Sequence, residues 1–563
     1  MPELPHDVWA SIAGLLETDH LLTLVSVNRS FYHIVLDARY REIRWVKLDD
    51  YMLKTLIRLQ DSVISERVRR LHIRAWFIQY LASSSTPKSS SRQHRLKRWT
   101  YDRLSTISNT FKPTFSGSSA TTSTVPPPWP KPKDRPGLYS PVRVFSLQHR
   151  LRHTLSITSD TTAETPSSLI PLMVTAFQQM INLTEYDFEW RDLALNEITR
   201  SFLPDNTAVL STLRKLVLHA QLPQFRDLLP QFMLMLPSLE VLELFFDYTS
   251  PSVATVSPSA TPQDLTPESA VLTTTIAPFI ASLRSSLQSL TISSSINVDH
   301  SDLFKSLATD LFPYLHVLAI RIPFDNDHLS EPEGLTRILY MHATILSHVE
   351  LRPSGSGETA LGNGGPWSRM SRACLTPTFQ TTFSNLESLS IPVLESKITL
   401  ELVRRSADTL RSLSLTGRLL KEYDVQEVVK VFNNVNGGKL RKLDLCVVSL
   451  TPTLFGLLAA GLPALLALCL VVDKNFSRYK FSKMNWQRPP YDWGLCDLSI
   501  YLGRSRGSVE AVAVPMADLS ENGLMVEMLK FLPSVKTFKQ QSGPVQQARS
   551  GDTINLGILH HFL

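Results

Sequence analysis

Cysteine is scarce: the chain of 563 residues has four, Cys374, Cys446, Cys469 and Cys496, with no CxxC pair or other close ligand spacing. That argues against a disulfide framework or a cysteine-based zinc site, and for reduced thiols in an intracellular protein, cytoplasmic, nuclear or both. Catalytic signatures are also missing: no GxSxG elbow, no HExxH and no phosphate-binding loop. The glycines between Gly355 and Gly365 lack the Lys-Ser/Thr of such a loop and the spacing of a dinucleotide turn, so they read as a flexible loop. His560 and His561 could bind a metal weakly, but they read as a chance surface pair. The expectation is a non-catalytic protein without a cofactor.

No secretory leader is expected either, since no basic segment precedes an apolar one at the N-terminus. Only Leu454 to Val472 mimics a membrane span, without a single charge. Gly461 and Pro463 interrupt it, so a buried helix, turn and strand is expected and no membrane partner.

Basic charge is confined to one region. The whole chain carries +6, but between Ser83 and Ser167 stand 13 Lys plus Arg against 4 Asp plus Glu, a net of +9, which leaves −3 for the remainder. Nucleic acid is therefore not the expected partner of the folded part. The cluster Arg92, His94, Arg95, Lys97 and Arg98, beside Trp99 and Tyr101, reads as a solvated basic linker, with a nuclear-import signal or a nucleic-acid contact as the alternatives. Ser140-Pro141, Ser257-Pro258, Thr261-Pro262 and Thr266-Pro267 could accept proline-directed phosphorylation, but in Ser- and Pro-rich stretches they read first as solvated linker.

What is present begins at once. Leu4-Pro5 opens an apolar-periodic segment with Val8, Ile12, Leu15 and Leu16 on one face. Asp19 stands as the cap of a second, with Leu21, Leu22, Leu24, Val25 and Val27, and a third carries Phe31, Ile34 and Val35. About forty residues are too few to bury all of these side chains without a partner.

This run, from Leu4 to Val35, resembles an F-box, with Asn28 and Phe31 where many members have Cys and Trp. The resemblance implies docking on the Skp-type adaptor of a Skp–cullin–F-box ubiquitin ligase and, through it, association with cullin and RING subunits. On the matching positions it assigns adaptor contacts to Leu4, Pro5, Val8, Ile12, Leu16, Leu22, Val27 and Phe31.

From Ile43, Val46 and Leu48 onward a spacing of apolar residues at n, n+3 and n+5 keeps returning: Val68-Leu71-Ile73, Leu213-Leu216-Leu218, Leu239-Leu242-Leu244, and on to Leu465-Leu468-Leu470 and Val509-Val512-Val514. A weaker return starts at Val535. In a strand the n+3 and n+5 side chains share one face and those between them point the other way. Helical patterns fill the gaps, as in Leu228, Leu229 and Phe232. The arrangement is similar to a leucine-rich repeat. The Asn or Cys that ladders regular repeats at n+8 is missing, with Gln221, Asp247, Ser295 and Val448 among the residues found there, so a ragged solenoid is expected.

The fold class expected is α/β, a short three-helix F-box followed by an irregular solenoid with parallel strands on one face and helices on the other. The boundaries are 1–42 for the F-box, 43–82 for the first repeat elements, 83–167 for a disordered basic insertion, and 168–563 for the remaining solenoid, with loops at 250–275 and 354–366. On the strand face, residues n+2, n+4 and n+6 give Lys215, His219, Glu243, Phe245, Arg321, Glu350 and Arg352 as a surface for an unidentified protein substrate. The reading that follows is a substrate receptor of such a ligase; the alternative is a leucine-rich-repeat scaffold acting outside a ligase.

Overall fold

The computed structural model describes residues 4–74, 169–246, 268–353, 364–473, 493–503 and 532–542, with Ile78 and apart from short gaps inside these ranges. The insertion expected at 83–167 and the return expected at Val509 lie outside them. The chain divides into two units, residues 1–77 with 174–563, and residues 78–173. The first carries the architecture below. Of the second, the described residues are Ile78 and the opening of the helix Leu169–Gln178.

Three helices begin the first unit: α1 (His6–Gly14), α2 (Thr18–Thr23, continued as a 3₁₀ turn over Leu24–Ser26) and α3 (Arg29–Tyr40). Pro5 caps α1 from an extended conformation, and its carbonyl accepts from the N–H of Val8 at 3.2 Å. The second helix starts at Thr18, so Asp19 lies inside it rather than capping it. Asn28 caps α3, its side chain accepting from the Phe31 N–H at 2.8 Å, which satisfies one of the donors a helix start leaves open.

A ladder of fourteen strands follows among the described residues: β1 (Glu42–Trp45), β2 (Arg70–Arg74), β3 (Glu185–Arg191), β4 (Lys215–Ala220), β5 (Val241–Phe246), β6 (Ser289–Ser294) and β7 (Val317–Arg321), then β8 (His348–Arg352), β9 (Ser388–Pro392), β10 (Ser412–Leu420), β11 (Lys442–Val447), β12 (Ala467–Asp473), β13 (Asp497–Gly503) and β14 (Thr537–Ser542). They form one sheet in sequential order. Every pairing is parallel, from β1 with β2 to β13 with β14. Such pairing needs a crossover between strands, and helices such as Leu222–Phe232 and Glu422–Asn433 supply it. The result is α/β, a solenoid of strand-and-helix repeats behind a helical N-terminus.

The n, n+3, n+5 spacing is the core. Leu213, Leu216 and Leu218 are at most 1% exposed, as are Leu410, Leu413 and Leu415, and the equivalent positions of the other returns from Val68 to Leu470 reach no more than 3%. Each such side chain withdrawn from water is worth roughly 1.5–3 kcal/mol, so stacked repeats hold what one alone cannot.

Main-chain bonds join the turns where the expected side-chain ladder is absent. The carbonyl of the residue before each strand from β1 to β13 accepts two N–H groups from the next repeat. That of Arg69 takes Thr184 and Glu185 at 2.8 and 2.9 Å, that of Thr184 takes Arg214 and Lys215 at 2.8 and 2.9 Å, and so on to Cys496, which takes Lys536 and Thr537 at 2.7 and 3.1 Å. Backbone groups must be paired when buried whatever the side chains are, so this ladder tolerates degenerate sequence.

Several boundaries differ from the sequence reading. The loop expected at 250–275 ends earlier, because helix begins at Glu268 and runs with a π turn over Leu272–Ile276 into Ala277–Ser282. Threonine-rich composition masked it: Val271, Leu272 and Ile276 are buried, while Thr273 and Thr274 return their hydroxyls to the Ala270 carbonyl. The loop expected at 354–366 lies outside the described residues up to 363, and Pro366 is already the first residue of the helix Pro366–Cys374. The first strand starts at Glu42, one residue before the boundary expected at 43, and Ile43 and Trp45 align with Leu71 and Ile73, so the first return is the buried Tyr40, Ile43 and Trp45 rather than Ile43, Val46 and Leu48.

One repeat was missed. Leu495, Leu498 and Ile500 are at most 1% exposed, the last two on β13, and no proline stands two positions before Leu495 to announce it. Residues Leu454 to Val472 make the helix Pro452–Gly461 and strand β12. Among the described residues no helix is long and apolar enough to cross a membrane.

Candidate interaction sites

The N-terminal helices enclose a small core of Ala13, Leu21, Phe31 and Val35, with Trp9, Leu24 and Ile34 packed on it. The Trp9 and Phe31 rings sit 5.0 Å apart. That core uses one side of each helix and leaves the others wet. Leu4 is 47% exposed, Val8 38%, Ile12 37%, Leu15 87%, Leu22 41% and Val27 59%, joined by Val25 and Tyr32. Large apolar side chains concentrated in so short a stretch mark an interaction surface.

Of the eight residues assigned to adaptor contact, Leu4, Pro5, Val8, Ile12, Leu22 and Val27 are exposed and Leu16 is half-buried. Phe31 is turned inward at 4% exposure, because α1 and α2 close over it. It supports this surface from beneath. Leu15, Val25 and Tyr32 are not among the residues assigned to adaptor contact, although Leu15 falls on the same 3.6-residue stripe as Val8 and Ile12.

On the strand face, the seven residues expected to meet a substrate form two groups separated by β6, whose outward residues are Ser289, Thr291 and Ser293. In the first, Lys215 on β4 pairs with Glu243 on β5 at 2.5 Å, and the His219 ring stacks on Phe245 with centroids 4.0 Å apart. In the second, Arg321 on β7 grips Glu350 on β8 with two bonds, and Arg352 stands 3.2 Å from the same carboxylate. Arg352 also reaches across the sheet, donating to the Ser390 hydroxyl at 3.0 Å and the Ser414 hydroxyl at 3.3 Å.

Burial raises the Glu350 carboxyl, but its bond to Arg321 and the charges of Arg352, Arg321 and Lys442 outweigh that and hold it below the usual carboxylate range. The bond to Glu350 in turn raises Arg321 against the opposing effect of its own burial. Pairing of this kind neutralises most of the face, leaving Arg352 as its surplus cation.

The same face extends to residues that the sequence reading did not name. Arg70 pairs with Glu185 at 2.7 Å, His72 with Asp187 at 2.5 Å, and His219 lies 3.9 Å from Asp187. The n+2 and n+4 rule applied to Val68 and Leu183 picks out Arg70, His72, Glu185 and Asp187, so the signal was there.

Thiol chemistry is disfavoured at two cysteines. Burial pushes Cys374 up to about 12, and burial with the Asp444 charge pushes Cys469 up to about 12, so neither is a thiolate at neutral pH. Burial raises Asp444 as well. Among the described residues no group of three or more His, Cys, Asp or Glu is placed to hold a metal ion.

No family model matches the chain, and no curated protein matches it. Among solved structures, a chain from the crystal structure of the Rad7 and Elc1 complex in yeast is similar at 14% identity, with a TM-score of 0.35, covering 73% of this chain and 98% of that one.

Proposed function

We propose that this chain is a substrate receptor of a Skp–cullin–F-box ubiquitin ligase. The N-terminal helices dock on the Skp-type adaptor, cullin and RING subunits follow through it, and the strand face holds a protein substrate. The chain itself performs no covalent chemistry. It raises the rate of ubiquitin transfer by proximity, since holding reactants together removes much of the entropic barrier.

The observation that carries this reading is the wet apolar row of Leu4, Val8, Ile12, Leu15, Leu22 and Val27, laid over a core that is complete without it. A partner that covers the row gains about 25 cal/mol for each Å² of apolar surface withdrawn from water. The order of helices matches the F-box resemblance of the sequence.

Co-expression with a Skp-type adaptor and size-exclusion chromatography test the proposal, with Ile12→Asp as the variant. A buried, unpaired carboxylate in an apolar interface costs several kcal/mol. The expected result is a stoichiometric complex with the parent and none with a variant that keeps its circular-dichroism spectrum. A folded parent that forms no complex overturns the reading. A complex with the adaptor that never recruits cullin replaces it by the scaffold reading.

A further inference from the structure

A groove of about 660 Å³ runs along the edge of the sheet where β2 to β6 begin, bordering the strand face but lined by none of its outward residues. One wall is the residue preceding each strand: Arg69, Thr184, Arg214, Glu240 and Gln288. The other is the residue two positions earlier in the later repeats: Asn182, Thr212, Ser238, Ser286 and Tyr314. The leucines between the two rows, Leu183, Leu213, Leu239 and Leu287, are 0% exposed, so only polar side chains and one ring face the groove.

The lining selects the ligand by elimination. A drug-like or lipid molecule needs walls of apolar side chains, and Tyr314 is the one large ring among polar residues here. Single-stranded nucleic acid needs a row of rings and a surplus of cations. Here Tyr314 is the one ring, and Arg214 is engaged with Glu240 at 3.1 Å. What remains is a row of hydroxyls and amides with one cation, Arg69, which donates to the Asn182 carbonyl at 3.0 Å and meets no carboxylate among the described residues. The side chains of Ser238, Ser285 and Gln288 bond no other described residue and are open to a ligand.

Length agrees with an extended peptide. Five parallel strands about 4.8 Å apart make a groove roughly 19 Å long, the span of about six extended residues at about 3.3 Å each. The main-chain carbonyls along this edge already accept two N–H groups apiece, so strand addition is closed and recognition falls to side chains.

We infer that this groove is a second binding surface, for an extended polar peptide of about six residues whose acidic side chain seats on Arg69. It does not depend on the adaptor reading, because none of its residues belongs to the N-terminal helices or the outward strand face.

Fluorescence anisotropy with the full chain tests this, using three fluorescein-labelled, capped hexapeptide pools. One holds Ser, Thr, Asn and Gln with a single Asp or Glu, one has that acid replaced by its amide, and one is rich in leucine. The acidic pool is expected to bind about tenfold more tightly than the amide pool, since an ionised acceptor strengthens the bond to a guanidinium. Arg69→Glu is expected to remove that preference. Ser238→Trp should block all binding by filling the groove, and Tyr423→Ser, far from it, should change nothing. All substituted positions are solvent-facing, and thermal melts confirm that the variants fold. Pools that bind alike, binding unchanged in folded Arg69→Glu and Ser238→Trp, or binding of a uridine hexamer or a chitin hexamer in place of the peptides would each overturn the assignment.

Discussion

Arg321 and Glu350 meet across β7 and β8 in a two-point ion pair, Nε to Oε1 at 2.9 Å and Nη2 to Oε2 at 3.0 Å, with both side chains less than a third exposed. Arg352 shares the carboxylate. Removing Glu350 would leave two neighbouring guanidiniums without the carboxylate they share. Glu350→Ala should lower the stability of the solenoid by about 1–2 kcal/mol, read as a drop in the urea midpoint. The carboxyl is held below its ordinary value in the folded chain, so its contribution is present above the unfolded pKa and is lost as pH falls through the lower folded one. A midpoint that does not move would show that the pair contributes nothing.

His300 is 0% exposed, and burial lowers it to about 4 despite its bonds to neighbouring carbonyls. The unfolded residue takes up its proton near 6.5, the folded one only near 4. Stability is therefore undiminished above pH 6.5 and falls as pH drops from there toward 4, by roughly 3 kcal/mol at the end of that window. Burial lowers His342 in the same direction, and its Nε2 accepts from the Phe312 N–H at 2.9 Å, which protonation would forbid. His300→Phe should reduce the difference between midpoints at pH 7 and pH 5. An unchanged difference would assign the pH response to other groups.

Phe31 and Leu15 separate folding from docking. Phe31 is 4% exposed in the N-terminal core and Leu15 is 87% exposed. Phe31→Ala should destabilise the helices by about 3–5 kcal/mol and lose adaptor binding only because they unfold. Leu15→Ser should leave the helical signal intact and still weaken the complex. The measurement is circular dichroism alongside binding; a Leu15→Ser variant that binds as the parent does would move the contact away from α1.

Gly334 is a packing constraint. A Cβ there would stand 2.5 Å from the Lys305 nitrogen and 2.6 Å from the Phe304 carbonyl carbon, so the helix Glu333–Met341 approaches the helix Ser301–Leu307 at backbone distance. Main chain cannot step aside as a side chain can. Gly334→Ala should cost about 1–3 kcal/mol, visible as a lower thermal midpoint. An unaltered midpoint would mean that the two helices slide apart freely.

Much of the fold was legible because a solenoid writes its core into the sequence once per turn. Leu386, Leu389 and Ile391 repeat what Leu213, Leu216 and Leu218 state, and neighbours stack on neighbours, so local spacing implies long-range contact. Legibility failed where the local signal was masked or unannounced, as in the threonines over Leu272–Ile276 and the bare start of β13.

By itself, then, the sequence determined the α/β solenoid, the buried rows and the apolar N-terminal face, since each follows from the period of apolar residues along one element. Only the tertiary structure decided how charges pair. His72 meets Asp187 across 115 residues of chain, and the carbonyl ladder along the sheet edge has no side-chain signature at all. Phe31 and Leu15 are both apolar, and no spacing tells which is covered by its neighbours. Periodicity fixes the face on which a side chain lies; which groups touch depends on the register between strands, and that is set only when the repeats stack.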